Sequence, residues 1–189
     1  MDAKNQIAEG RRPVFAAADL PENGRIFMLH MQCQPDGQWR GSIHNLYLEQ
    51  PQTFVGLADA VLKMDGIMDG LDNPQAVTKP RSFLHPVREM QNDSVAQREA
   101  YYQWLQEEKK TVRQYWTEAS LSPSRPDMVA FVIRVRFRQH SSWQGEVSWK
   151  QGKQKIPFRS VLELLHLLQS ALEAQQAGKA VKAEKQEQP

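Results

Sequence analysis

"FVIRVRFRQHSSWQGEVSWKQGKQKIPFRSVLELLHLLQSAL" runs from Phe131 to Leu172. Its first part alternates: Phe131, Ile133, Val135 and Phe137 fall on one side, Arg134, Arg136 and Arg138 on the other. A period of two is the mark of a half-buried strand. "QHSS" makes a turn, and then Trp143, Gly145, Val147 and Trp149 alternate with Gln144, Glu146, Ser148 and Lys150. "KQGKQ" makes a second turn. "KIPF" is a short edge segment, because Pro157 has no N–H to donate to a ladder. Ser160 and Glu163 then fit a capping box, in which the hydroxyl takes one free N–H and the carboxylate reaches back for another. Val161, Leu164, Leu165, Leu168 and Leu172 follow as an apolar helical stripe, widened by Leu162 and Leu167.

The same order occurs 104 residues earlier without a gap. Phe27 falls on Phe131, Trp39 on Trp143, Gly41 on Gly145, Gln50 on Gln154 and Phe54 on Phe158. Alternation gives way to helical spacing at matching places. The expected fold is α+β: two homologous β-β-(β)-α units with an antiparallel sheet and a pseudo-two-fold arrangement, plus a long amphipathic linker helix. The units span 25–72 and 129–174. Residues 1–24 read as a flexible N-terminus, 73–128 as a proline-rich linker and amphipathic helix, and 175–189 as a disordered tail. The linker helix is predicted from the spacing of Ala100, Tyr101, Trp104, Leu105, Val112, Tyr115, Trp116 and Ala119 after a capping pair, Ser94 and Gln97. It would make about seven turns at roughly 3.6 residues each.

The first unit departs from the second. Gly56 stands where the second has its capping serine, and Gly66 and Gly70 each cost up to about 1 kcal/mol inside a helix. Asp65 and Asp69 lie near that helix's C-terminus, where the dipole disfavours anions. Gly41 and Gly145, each two residues after a tryptophan, mark a bulge or a close approach by a helix or a ring, and are expected to give the helix room.

Bulk properties set outer bounds. The chain has 189 residues, 40% hydrophobic and 24% charged, enough for a buried core. Its net charge of +2 does not by itself argue for nucleic acid. The single cysteine, Cys33, leaves no disulfide within the chain. The first residues carry no apolar leader, and no apolar run approaches the roughly 20 residues that span a bilayer. The expectation is a soluble cytoplasmic protein with no membrane partner.

No catalytic, metal or cofactor motif emerges. His30, His44, His85, His140 and His166 are not at ligand spacing. His30 and His44 fall where they could be neighbours across a hairpin, on the exposed face. "MDGIMDGLDN" fails the calcium-loop spacing. No phosphate-cradling glycine loop or nucleophile elbow is present. A non-enzymatic protein without cofactors is expected.

Charge is what distinguishes the two units. Residues 129–174 hold seven Lys or Arg against three Asp or Glu, +4; residues 25–72 hold three against six, −3. The candidate binding residues are Arg134, Arg136, Arg138, Lys150, Lys153 and Arg159, with Lys155 nearby. Three readings compete: a solvated sheet surface, a face for an acidic protein surface, including the acidic unit of another copy, and a face for nucleic-acid phosphates.

The segments "WQGEVSW" and "FRSVLELLHLL" resemble a group of small uncharacterised bacterial proteins built as strand–turn–strand–helix. The element order is also similar to the antitoxin half of HicA/HicB systems, whose β-β-β-α unit binds a toxin, often beside a DNA-binding segment. This chain lacks that family's proline-glycine loop signature and a helix-turn-helix, so the resemblance assigns no site residue. It agrees with the function expected from the residues: protein–protein binding or regulation in the cytoplasm through a basic sheet face, with self-association included. The alternative is a nucleic-acid-binding, antitoxin-like regulator.

Overall fold

The computed structural model describes residues 13–16, 19–76, 111–117, 128–139 and 142–186, with side chains of the last helix described as far as residue 178. It is α+β. The strands are β1 (Val14–Ala16), β2 (Ile26–Cys33), β3 (Trp39–His44), β4 (Gln52–Val55), β5 (Thr111–Arg113), β6 (Val129–Gln139), β7 (Ser142–Trp149) and β8 (Gln154–Phe158). The helices are α1 (Gly56–Leu71) and α2 (Val161–Gln186), with a 3-10 turn at Glu22–Arg25. Six strands form one sheet in the order β4-β3-β2-β6-β7-β8, and β1 pairs with β5 in a separate ribbon. All named pairings are antiparallel. Among the described residues, no helix is long and apolar enough to cross a membrane.

Pairing numbers recur at the offset of 104. Met28 faces His44, and Val132 faces Ser148; Gly41 faces Phe54, and Gly145 faces Phe158. At the middle of the sheet β2 meets β6, with Met28 opposite Val132, two residues that are themselves 104 apart. One face carries Phe27, Leu29, Met31, Ile43, Phe131, Ile133, Val135 and Val147, all buried. Helix α1 packs there against β3 and β4, and α2 against β7 and β8. Leu164, Leu168 and Leu172 are fully buried, each worth roughly 1.5–3 kcal/mol of transfer energy.

Both helix starts use the same device. The Glu163 carboxylate accepts from the N–H of Arg159 at 2.7 Å, and Ser160 Oγ accepts from Glu163 N–H at 3.1 Å. In α1 the Asp59 carboxylate accepts from Val55 N–H at 3.0 Å, and the serine's place is taken by Gly56 at φ 78°. The mid-strand glycines make room for a ring. A Cβ on Gly41 would fall on the His30 carbonyl and 2.8 Å from Phe54 Cζ; on Gly145 it would fall on the Arg134 carbonyl and 3.0 Å from Phe158 Cζ. Of the two approaches expected, the structure has the ring and not the helix: each crowding ring belongs to the neighbouring outer strand.

Both outer strands of the sheet are disarmed. Pro157 stands in β8 without a donor. Its counterpart in β4, Thr53, has its carbonyl taken by Lys63 Nζ at 2.7 Å.

Four expectations require correction. Residues 14–16, read as flexible, form β1, and Leu20 is buried. The linker helix does not extend through residues 111–117: Thr111–Arg113 is a strand, Tyr115 and Trp116 donate their N–H groups to the Leu46 carbonyl at 2.8 and 3.2 Å, and Trp116 Nε1 donates to the Leu48 carbonyl at 2.7 Å. Here β-branched residues with a partner strand override helical spacing. The rest of that predicted helix, 94–110 and 118–119, lies outside the described residues. The segment from 175 is helical through Gln186, carried by alanine, glutamine, lysine and glutamate, all good helix formers. Finally, the face opposite the helices is not simply wet: Ile26, Met28, His30 and Ala130 at its centre are buried.

Candidate functional site

The alternation of β6 breaks where the basic face was expected to be strongest. Val135 faces Gly145, but Phe137 faces Gln144, so Arg136 is an extra residue in the strand. A bulge of this kind re-aims the side chains beyond it. Phe137 is turned outward, 48% exposed, and Arg138 is turned inward, 6% exposed. The expectation that Arg134, Arg136 and Arg138 share one face is therefore corrected. The Arg138 guanidinium lies against α1, donating to Asp65 Oδ1 at 2.8 Å and Asp69 Oδ1 at 2.6 Å. It also donates to the Pro74 carbonyl at 3.4 Å. The anions that looked misplaced on α1 are the partners of this cation. A basic residue of β6 thus meets acidic residues of α1 within one chain.

Arg134 and Arg136 do come together, with Lys155, around Glu146. Lys155 Nζ is 2.7 Å from Glu146 Oε1, Arg136 Nη2 is 3.3 Å from Oε2, and Arg134 Nε is 3.9 Å from Oε1. The register explains this: Arg134 faces Glu146 directly, and Lys155 lies one rung away on β8. The glutamate side chain is 17% exposed while the three cations stand more open. The hydrogen bond from Lys155 holds the Glu146 carboxyl below the usual carboxylate range. Burial opposes this, and the charges of Lys155, Arg136 and Arg134 reinforce it. Three cations on one carboxylate leave a local surplus of positive charge on an open sheet surface.

The other expected residues stand apart. Lys150 and Lys153 lie in the exposed β7–β8 turn, where Lys153 adopts φ 51°. Arg159 precedes α2, almost fully exposed, 3.9 Å from Glu163. Among the described residues none of these three pairs with Glu146. Sequence reasoning missed Glu146 as the hub, reading it only as one of the residues alternating with Trp143, Gly145, Val147 and Trp149. The signal was present, since a lone acid directly across from an arginine on the same face is a cross-strand pair.

His30 and His44 are neighbours as expected, ring centroids 4.6 Å apart. His30 is buried rather than exposed. His44 Nε2 lies 2.9 Å from Ser42 Oγ. Burial, reinforced by the charge of His30, lowers its pKa to about 4, so the imidazole is neutral at pH 7. Tyr47 is pushed up to about 12 by burial, although its hydroxyl donates to Asn23 Oδ1 at 2.8 Å. Among the described residues, no group of three or more His, Cys, Asp or Glu could hold a metal ion.

No protein-family model matches the chain, and neither a curated protein nor a solved structure matches it.

Proposed function

We propose that this is a non-catalytic binding or regulatory module of the cytoplasm. It docks an acidic surface of a protein partner on the basic sheet face formed by Arg134, Arg136 and Lys155. The observation that carries this is the hub itself. Glu146 gathers three cations and neutralises one charge, which leaves a fixed, preorganised positive patch. Complementary charge of this kind sets orientation and speeds encounter. A row of arginines for phosphates was the basis of the nucleic-acid alternative. That row loses Arg138 to α1, which favours the protein reading.

The module has the form of two homologous β-β-β-α units in one sheet about a pseudo-two-fold axis. Support comes from the recurring registers, the Met28–Val132 pair at the centre, the twin glycine–phenylalanine contacts and the two carboxylate-capped helix starts. The helix ends cross over in both directions. Asp65 and Asp69 of α1 reach β6, and Gln176 of α2 donates to Cys33 Sγ of β2 at 3.3 Å. The charge surplus on one unit alone fits a binding role acquired after duplication.

The test compares the full chain with the triple variant Arg134→Gln, Arg136→Gln, Lys155→Gln. Cross-linking in bacterial cytosol identifies any partner held by the chain and lost by the variant. Anisotropy with labelled single-stranded and duplex oligonucleotides is run in parallel. A protein lost on neutralisation supports the reading. Oligonucleotide binding with a steep salt slope that the triple variant flattens gives the alternative.

A further inference from the structure

The β6 bulge builds a second feature beside the hub. Phe137, turned outward, borders a cleft of about 350 Å³ whose walls include Arg25, Arg136, Asn73 and Asp72. Arg25 is held in place: its Nε donates to Asn73 Oδ1 at 2.6 Å and its Nη1 to the Arg136 carbonyl at 3.2 Å. Asn73 is itself buried, and its Nδ2 donates to the carbonyls of Leu20 and Pro21 at 3.4 and 3.3 Å. The third arginine in the wall, Arg138, is committed to Asp65 and Asp69. The Arg136 guanidinium is engaged by Glu146 at 3.3 Å, so Arg25 supplies the cationic side of the cleft, against Asp72, and Phe137 supplies an apolar wall. In β2, which has no bulge, the positions equivalent to Arg136 and Phe137 are Gln32 and Cys33, and neither chemistry is present.

The geometry points to this cleft as the specificity pocket of the docking face, taking an acidic peptide segment of the partner. A carboxylate of that segment lies against the Arg25 guanidinium, and an adjacent apolar side chain rests on Phe137. The inference rests on the protein-binding reading above and deepens it. Guanidinium groups fixed by other bonds lose little freedom on gripping a carboxylate, and an exposed aromatic beside arginine is the composition of an interface anchor.

The probe is a labelled five-residue peptide, phenylalanine flanked by two glutamates on each side, with its glutamine counterpart as control. Titration is followed by anisotropy and by amide chemical shifts of the full chain. The acidic peptide is expected to bind about tenfold tighter than the neutral one, and to shift the amides around Arg25 and Phe137. Arg25→Gln removes a charge-assisted hydrogen bond to the carboxylate and is expected to weaken binding about tenfold. Phe137→Ala, a change at an exposed side chain, is expected to weaken it severalfold with the urea midpoint unmoved. Loss of binding in Arg134→Gln with Lys155→Gln, but not in Arg25→Gln or Phe137→Ala, would place the peptide on the Glu146 hub. The cleft assignment then falls while the basic-face reading stands. No binding of the acidic peptide at millimolar concentration, or equal binding of the neutral one, overturns the cleft outright.

Discussion

Arg138 offers the sharpest test of the packing. Its side chain is 5% exposed, between Asp65 at 32% and Asp69 at 52%, with contacts of 2.8 and 2.6 Å. The two ends of this bridge are unequal in their access to water. Arg138→Met removes the charge but keeps much of the buried stem, and the two carboxylates can rehydrate. Charge-assisted bonds of roughly 1.5–3 kcal/mol each, discounted for that rehydration, give an expected cost of about 1–2 kcal/mol. The double variant Asp65→Asn, Asp69→Asn does the reverse. It leaves a guanidinium inside the protein with no anion, and orphaning a buried charge costs about 3–5 kcal/mol. The low end applies here, because asparagine still accepts hydrogen bonds. The difference expected between the variants is therefore about 1–2 kcal/mol in favour of Arg138→Met. Urea unfolding followed by the fluorescence of the five tryptophans, with an unchanged m value, measures it. If Arg138→Met proves as costly as the double asparagine variant, burial of the cation does not control the bridge and the reasoning fails.

Other outcomes follow from the same geometry. His44 titrates near 4 in the folded chain against about 6.5 unfolded. The unfolded chain thus takes up a proton first, and stability declines as pH falls from about 6.5 to about 4. His44→Gln is expected to flatten that decline in a series of urea midpoints against pH. Glu146 is depressed, so its stabilisation is present above the unfolded value of about 4.3 and is lost as pH falls through the lower folded value. Glu146→Gln is expected to remove that part of the acid limb. Gly41→Ala and Gly145→Ala each place a Cβ onto a neighbouring carbonyl, and each is expected to lower stability by about 1–3 kcal/mol in calorimetry. A neutral effect at either glycine contradicts the described crowding.

What could be read in the sequence, and what could not, divides along a physical line. Alternation and capping are local, so β2, β3, β6, β7, the edge segment at Pro157 and the capped start of α2 were legible, whereas the start of α1 was read only through the 104-residue offset. The twin glycines were legible as sites of close approach by a helix or a ring, though not that the rings would be Phe54 and Phe158 of the outer strands. The bulge was not, because "VRFR", residues 135–138, keeps a perfect period of two straight through Arg136 while the ladder slips by one. Only the anions Asp65 and Asp69, at the wrong end of a helix dipole, hinted that a cation had to arrive from elsewhere. The β1–β5 ribbon was hidden for a different reason. Three-residue strands carry too little pattern, and Val112, Tyr115 and Trp116 fit helical spacing equally well until their partners across the chain are known. The cleft at Phe137 depends on the bulge and was invisible with it.

The treatment of the sheet's two margins reaches beyond the single molecule. With the Thr53 carbonyl occupied by Lys63 and Pro157 lacking a donor, an incoming chain finds no continuous ladder on which to add a rung. At these two margins growth into ribbons or fibrils lacks a first step. One codon stands against that outcome on the β8 side: Pro157→Thr would expose a template, and light scattering on ageing would record the turbidity it invites.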